Sequence, residues 1–228
     1  MFSNAFDAVI PVICVALAGL AVMLAEAFRG KGERMPLGGL ALIGLVGAAA
    51  ASVLLWNRNA TSFGVMTADN FSIFVNLVII TVGILTVAIS SQTVERDGLP
   101  AGEYYAMLLF AIVGMMLMAQ ATDLLLIFLA LETMSIAVYI LTGLRRDQVQ
   151  STEGAFKYFL LGAFASSFFL YGVAFIYGVT GSTGLDRVGS VIAAQSMSGN
   201  VMILLGVGLM LVGFAFKIAA VPFHMWSP

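Results

Sequence analysis

The chain has 228 residues, 61% of them apolar and only 10% charged, with a mean hydropathy of +1.05 and a formal charge of −2 at neutral pH. That is a membrane protein's composition, and the near-neutral balance leaves no footprint for nucleic acid. Cys14 is the single cysteine and His224 the single histidine, which excludes an iron–sulfur cluster, a disulfide framework, a cysteine zinc site and bis-histidine haem ligation within this chain.

Apolar runs long enough to cross a bilayer are read at residues 8–28, 36–56, 71–91, 103–119, 123–144, 153–177 and 201–221, seven spans in one membrane domain covering 1–228. The first run has no basic stretch ahead of it and no small-residue cleavage site before Glu26, so it is expected to be a retained span and not a removed signal peptide. Arg29, Lys31, Arg34, Arg96, Arg145 and Arg146 follow the odd-numbered spans, whereas only Arg58 and Arg187 follow the even ones. Positive residues collect on the cytoplasmic side, so the N-terminus is expected outside. Short connections at 120–122 and 145–152 make spans four, five and six antiparallel neighbours. The long Gly- and Ser-rich segment 180–200 reads as an external loop, and the 24 glycines fit close helix contacts in lipid.

The fifth run, DLLLIFLALETMSIAVYILTGL, carries one carboxylate, Glu132, halfway along, where a charge costs several kcal/mol. At about 100° per residue Ser135, Tyr139 and Thr142 share its face within an arc of about 80°. In the sixth run Glu153, Lys157, Ser167 and Tyr171 share a face, and Glu153 and Lys157 stand at the spacing of an ion pair. In the seventh, Lys217 shares a face with Gly206 and Gly213, leaving room for a partner helix or for water. Pro222 follows five residues later, and proline removes a backbone hydrogen bond, so the helix is expected to break between Lys217 and Pro222. A broken helix with a lysine at the break can hold an ion near the midplane.

Each feature has a plainer reading. Glu132 could be a structural hydrogen-bonding group, Lys157 could snorkel to the cytoplasmic surface, Glu153 could be an interfacial acid at a helix start, and His224 beside Trp226 could be an interface anchor. The combination weighs against these: Glu132, Lys157 and Lys217 are the ionisable groups well inside the spans. A carboxylate and a lysine that share a low-dielectric interior control each other's protonation, which is the requirement of a proton relay.

The stretches LALETMSIAVYILTG, EGAFKYFLLGAFASSFFLYG, GVTGSTGL and GFAFKIAAVPFHMWSP resemble the antiporter-like membrane subunits of the bacterial proton-pumping NADH–quinone oxidoreductase (respiratory complex I). The second stretch favours the subunit N branch over its sisters L and M. The resemblance is motif-specific over residues 100–228 and rests on span pattern before that. It implies that Glu132 is the key glutamate of the fifth helix, Lys157 the lysine of the sixth, and Lys217 the central lysine at the break of the seventh. It also implies a proton-translocating role with no redox chemistry in this chain. NADH, FMN, iron–sulfur clusters and quinone would then lie in partner subunits, alongside neighbouring antiporter-like and small membrane subunits in the bacterial plasma membrane.

Family members have about fourteen helices in two inverted repeats, and this sequence stops at Pro228. The expectation is therefore the first half of the antiporter-like inverted-repeat fold, an all-α polytopic protein supplying one half-channel and not pumping alone. Three competing functions share the outline: a subunit of a multisubunit Na⁺/H⁺ antiporter, a retinal protein, and a structural membrane spacer. Against the retinal protein, Trp56 and Trp226 lie near span ends and cannot cage a chromophore.

Overall fold

The computed structural model describes residues 6–29, 36–194 and 200–222. A 3-10 turn at Asp7–Val9 leads into α1 (Ile10–Ala27), followed by α2 (Leu37–Leu54), β1 (Ala60–Ser62), β2 (Met66–Ala68), α3 (Asn70–Arg96) and α4 (Ala101–Gln120). Then come α5 (Leu124–Thr142), α6 (Val149–Thr180), α7 (Leu185–Ala194) and α8 (Val201–Lys217). Among the described residues α1 to α6 are long and apolar enough to cross a bilayer. A helix satisfies its own backbone in lipid, where no water can do so. Ile43, Phe74 and Ile89 project from these helices and are exposed, as expected of surfaces that meet acyl chains.

Two cores divide the bundle. Val15, Leu45, Ile80, Leu109, Ile112 and Met116 bring α1 to α4 together. Leu124, Phe169, Val173, Ile176 and Ile203 join α5, α6 and α8, and α4 packs along α5 between the two groups.

The helix ends carry recognisable closures. Asp69 accepts from Ser72 N–H at 2.8 Å while its own N–H donates to Ser72 Oγ at 3.0 Å, a capping box that starts α3. Asp123 accepts from the N–H groups of Leu125 and Leu126 at the start of α5. At the end where the basic loops gather, Asp97 pairs with Arg96 and Arg145, and Arg146 pairs with Glu103. Arg58 and Arg187 lie at the opposite end, the split that the sequence reading used for orientation.

Three features add to the sequence reading. The connection after α2 is not plain loop: β1 and β2 pair antiparallel with Thr61 opposite Thr67. This hairpin continues through backbone bonds from Thr122 N–H to Val65 O (2.8 Å) and from Leu185 N–H to Thr122 O (2.9 Å), tying both halves together at one end. The segment read as an external loop over 180–200 contains α7, whose Val188 is buried against the second core. The seventh apolar run, 201–221, is broken where the break was expected, between Lys217 and Pro222: α8 stops at Lys217 after 17 residues, about 26 Å of rise and short of a full crossing. It ends before Pro222 is reached. Ala219 takes a positive φ of 51°, its N–H donates to Phe216 O at 3.1 Å, and Ala220 N–H donates to Ala215 O at 2.8 Å. That is a Schellman closure, with alanine where glycine is usual, and it satisfies carbonyls that the stopped helix would leave open. His224 lies outside the described residues.

Candidate functional site

Glu132 is the ninth residue of α5, about 12 Å from its Asp123-capped start. It is partly buried, and its Oε1 accepts from Ser166 Oγ on α6. Ser135, expected to continue the polar stripe, is fully buried, but its hydroxyl donates back to Leu131 O within its own helix and is not used by the acid. Thr142 likewise donates to Val138 O. The stripe exists as a face, but its hydroxyls are mostly turned onto the helix backbone.

Lys217 closes α8 and meets α5 seven residues past Glu132, at Tyr139. Its Nζ donates to Tyr139 Oη at 3.2 Å and stands 5.1 Å from the Tyr139 ring centroid and 5.7 Å from that of Tyr158 on α6. Both separations lie within cation–π range. The two tyrosine rings meet edge to face, with centroids 4.6 Å apart and planes at 82°. Lys217 therefore sits nearer the loop end of α5 than its middle. The reason is length: α8 is still helical for 17 residues from Asn200 before it closes.

Glu132 and Lys217 do not touch. Among the described residues no ion pair within 4.0 Å joins them. Each charge is instead held by a neutral partner, a hydroxyl for the acid and a pair of aromatic rings for the ammonium.

Packing explains why the helices come this close. At Gly162 on α6 a Cβ would fall 1.9 Å from Tyr139 Oη and 2.6 Å from Cζ, so only glycine leaves the ring its place. Gly213, read from the sequence as room for a helix or for water, faces α6: a Cβ there would lie 2.7 Å from Phe169 Cβ. The occupant is a helix. A cleft of about 410 Å³ between α5 and α6 runs from Arg146 and Thr152 to Tyr139, walled by Ile136, Ile140, Phe156 and Phe159.

Lys157 pairs with Glu153, as the spacing required, and both side chains are more than half exposed. The structure does not bring Lys157 to Glu132 or Lys217. Ser166, Tyr158 and Gly162 were not singled out from the sequence, which put Ser167 on the functional face. Their signal was the run of small and apolar residues at 162, 165, 166, 169, 172, 173 and 176, whose spacing by three and four marks the buried side of α6.

The comparisons with known proteins agree with this architecture. Residues 121–228 match the family described as NADH:quinone oxidoreductase/Mrp antiporter, TM. The chain is 45% identical over 223 residues to NADH-quinone oxidoreductase subunit N of Trichlorobacter lovleyi, covering 97% of this chain and 46% of that protein. It is 40% identical over 222 residues to the subunit N of Chloroflexus aggregans, covering 96% and 45%.

Residues 121–228 belong to the NADH:quinone oxidoreductase/Mrp antiporter transmembrane family.

It spans about half the length of the curated relatives it matches. Among solved structures of antiporter-like folds, a chain of respiratory complex I from Thermus thermophilus with bound aureothin superposes with a TM-score of 0.77 at 33% identity, over 96% of this chain and 46% of that one. A chain of the Mrp complex from Dietzia sp. DQ12-45-1b superposes with a TM-score of 0.74 at 22% identity, over 99% and 43%. At that identity the likeness shows the antiporter-like fold alone.

Proposed function

We propose that the chain is part of the proton-translocating membrane subunit N of a bacterial NADH–quinone oxidoreductase, with Glu132 and Lys217 as its relay. The carrying observation is their arrangement: Glu132 accepts from Ser166 Oγ, Lys217 donates to Tyr139 Oη seven residues further along α5, and among the described residues no ion pair joins the two. A proton gained or lost at one site changes the field at the other, so occupancy can be passed along without either charge facing lipid unaided. Lys157, exposed beside Glu153, would exchange protons at the edge of this pair. NADH, FMN, iron–sulfur clusters and quinone belong to partner subunits in this reading, and this chain contributes proton transfer only. The positive loops support a reading in which the ends of α1, α3 and α5 face the cytoplasm and the N-terminus lies outside the plasma membrane.

The experiment is proton pumping against NADH–quinone electron transfer in membrane vesicles carrying Glu132→Ala or Lys217→Ala. Loss of pumping in an assembled complex supports the relay; wild-type pumping in both variants would leave a structural spacer. The alternative, a subunit of a multisubunit Na⁺/H⁺ antiporter, is favoured by the joint family description. Sodium-dependent ΔpH without NADH would support it. Family membership replaces the retinal-protein reading.

A further inference from the structure

We infer that Tyr158 is a positioning residue of the relay, which with Tyr139 forms an aromatic clamp that holds the Lys217 ammonium apart from Glu132; this rests on the relay proposed above. An ammonium between packed helices ordinarily takes a carboxylate partner, and Glu132 is the carboxylate about two turns away on the helix that Lys217 touches. The carboxylate is engaged by Ser166 instead. Lys217 has turned to the Tyr139 hydroxyl and stands 5.1 and 5.7 Å from the centroids of the Tyr139 and Tyr158 rings.

Neither ring is placed by chance packing. Tyr139 is 6% exposed and passes over the bare backbone of Gly162. Tyr158 stands edge-on to Tyr139 and also neighbours Phe216, with ring centroids 6.1 Å apart, so it touches the residue that immediately precedes the lysine. Gly213, four residues before Lys217, lets α8 approach α6 closely enough for this contact. Tyr158 thus couples the direction of the Lys217 side chain to the α6–α8 packing.

The clamp has a consequence for the relay. Cation–π attraction comes from the ring quadrupole and does not depend on whether Glu132 carries its proton, whereas Coulomb attraction between Glu132 and Lys217 does. The two attractions compete for one flexible side chain. With Glu132 protonated the clamp holds Lys217 unopposed; with Glu132 ionised the acid pulls against it. Two discrete positions of the ammonium, biased by one proton, make a switch.

The test replaces Tyr158 in the assembled complex by Phe, by Leu, and by phenylalanines bearing one, two and three ring fluorines, which weaken the negative ring face while nearly preserving its shape. Tyr158→Phe keeps the ring whose centroid lies 5.7 Å from the ammonium and is expected to pump within about twofold of wild type. Pumping is expected to fall stepwise with fluorine, to about fivefold below the Phe variant at three fluorines, the loss of one such contact. A flat fluorine series, or a Phe variant as impaired as Leu, would overturn the clamp. If the Leu variant fails to assemble, the near-isosteric fluorinated series still decides. Lys217→Ala measured alongside separates the two ideas: normal pumping there sinks the relay itself, and abolished pumping with a flat series sinks the clamp alone.

Discussion

Replacing Gly162 by alanine asks whether Tyr139 is held in place by the packing of α6. By intrinsic propensity a Gly→Ala change inside a helix should stabilise it by about 1 kcal/mol. Here the new Cβ would lie 1.9 Å from Tyr139 Oη, against ordinary contact near 3.4 Å, so the hydroxyl must retreat by about 1.5 Å. It has little room, because the ring is wedged edge-on between Tyr158 and Phe159 at 4.6 and 5.9 Å. A displacement of that size breaks the 3.2 Å bond to Lys217. Overpacking of this kind costs about 1–3 kcal/mol, which overrides the propensity gain. Gly178, on the same helix with nothing within 4 Å of its Cβ position, is the control. The assay is thermal unfolding of the purified subunit together with the ratio of protons pumped to NADH oxidised. Gly162→Ala is expected to lower both, and Gly178→Ala to lower neither. Adding Tyr139→Phe to Gly162→Ala removes the atom at 1.9 Å and should recover part of the stability, a non-additive coupling between two touching sites. If Gly162→Ala matches Gly178→Ala in stability and coupling, the claimed close approach is wrong.

Three further outcomes follow from named contacts. Asp69→Ala removes the capping box of α3 and should cost about 1 kcal/mol in thermal unfolding. The Asp69 carboxyl is held below its ordinary value mainly by the Ser72 N–H and then by its hydroxyl, so its contribution is complete above about pH 4 and lost as pH falls through the depressed folded value; Asp69→Asn should flatten that acid limb, and an unchanged limb would contradict the assignment. Asp123→Ala removes both the α5 cap and the acceptor of Thr183 Oγ1 at 2.6 Å, and should destabilise by about 1–2 kcal/mol, more than Thr183→Val, which spares the cap. Ser166→Ala deprives Glu132 of its hydroxyl donor and should reduce coupled pumping about tenfold, with Ser166→Thr largely restoring it; equal pumping in both variants would show the bond to be incidental.

The sequence by itself determined the membrane class, the spans up to the sixth to within a few residues at most ends, the ionisable groups inside them and the family. Those properties are local or compositional. A run of apolar residues has one low-energy form in lipid, and a charge within it is conspicuous whatever surrounds it. The Glu153–Lys157 pair was legible for the same reason, since one turn of helix fixes it.

What only the tertiary structure decided is how the helices meet. Ser166 and not Ser167 serves Glu132, because the 100° between neighbours is resolved by the packing of α6 on α5 and α8 and not by α6 alone. The break expected between Lys217 and Pro222 is there, but it is closed through bonds made by Ala219 and Ala220, residues with no breaking tendency of their own. Lys217 looked like the partner of Glu132, yet it rests on Tyr139 and Tyr158. A helical face can be read from one segment at a time. The partner of a buried charge depends on which of several segments arrives within about 6 Å, and that distance is set by glycines, ring angles and helix lengths acting together.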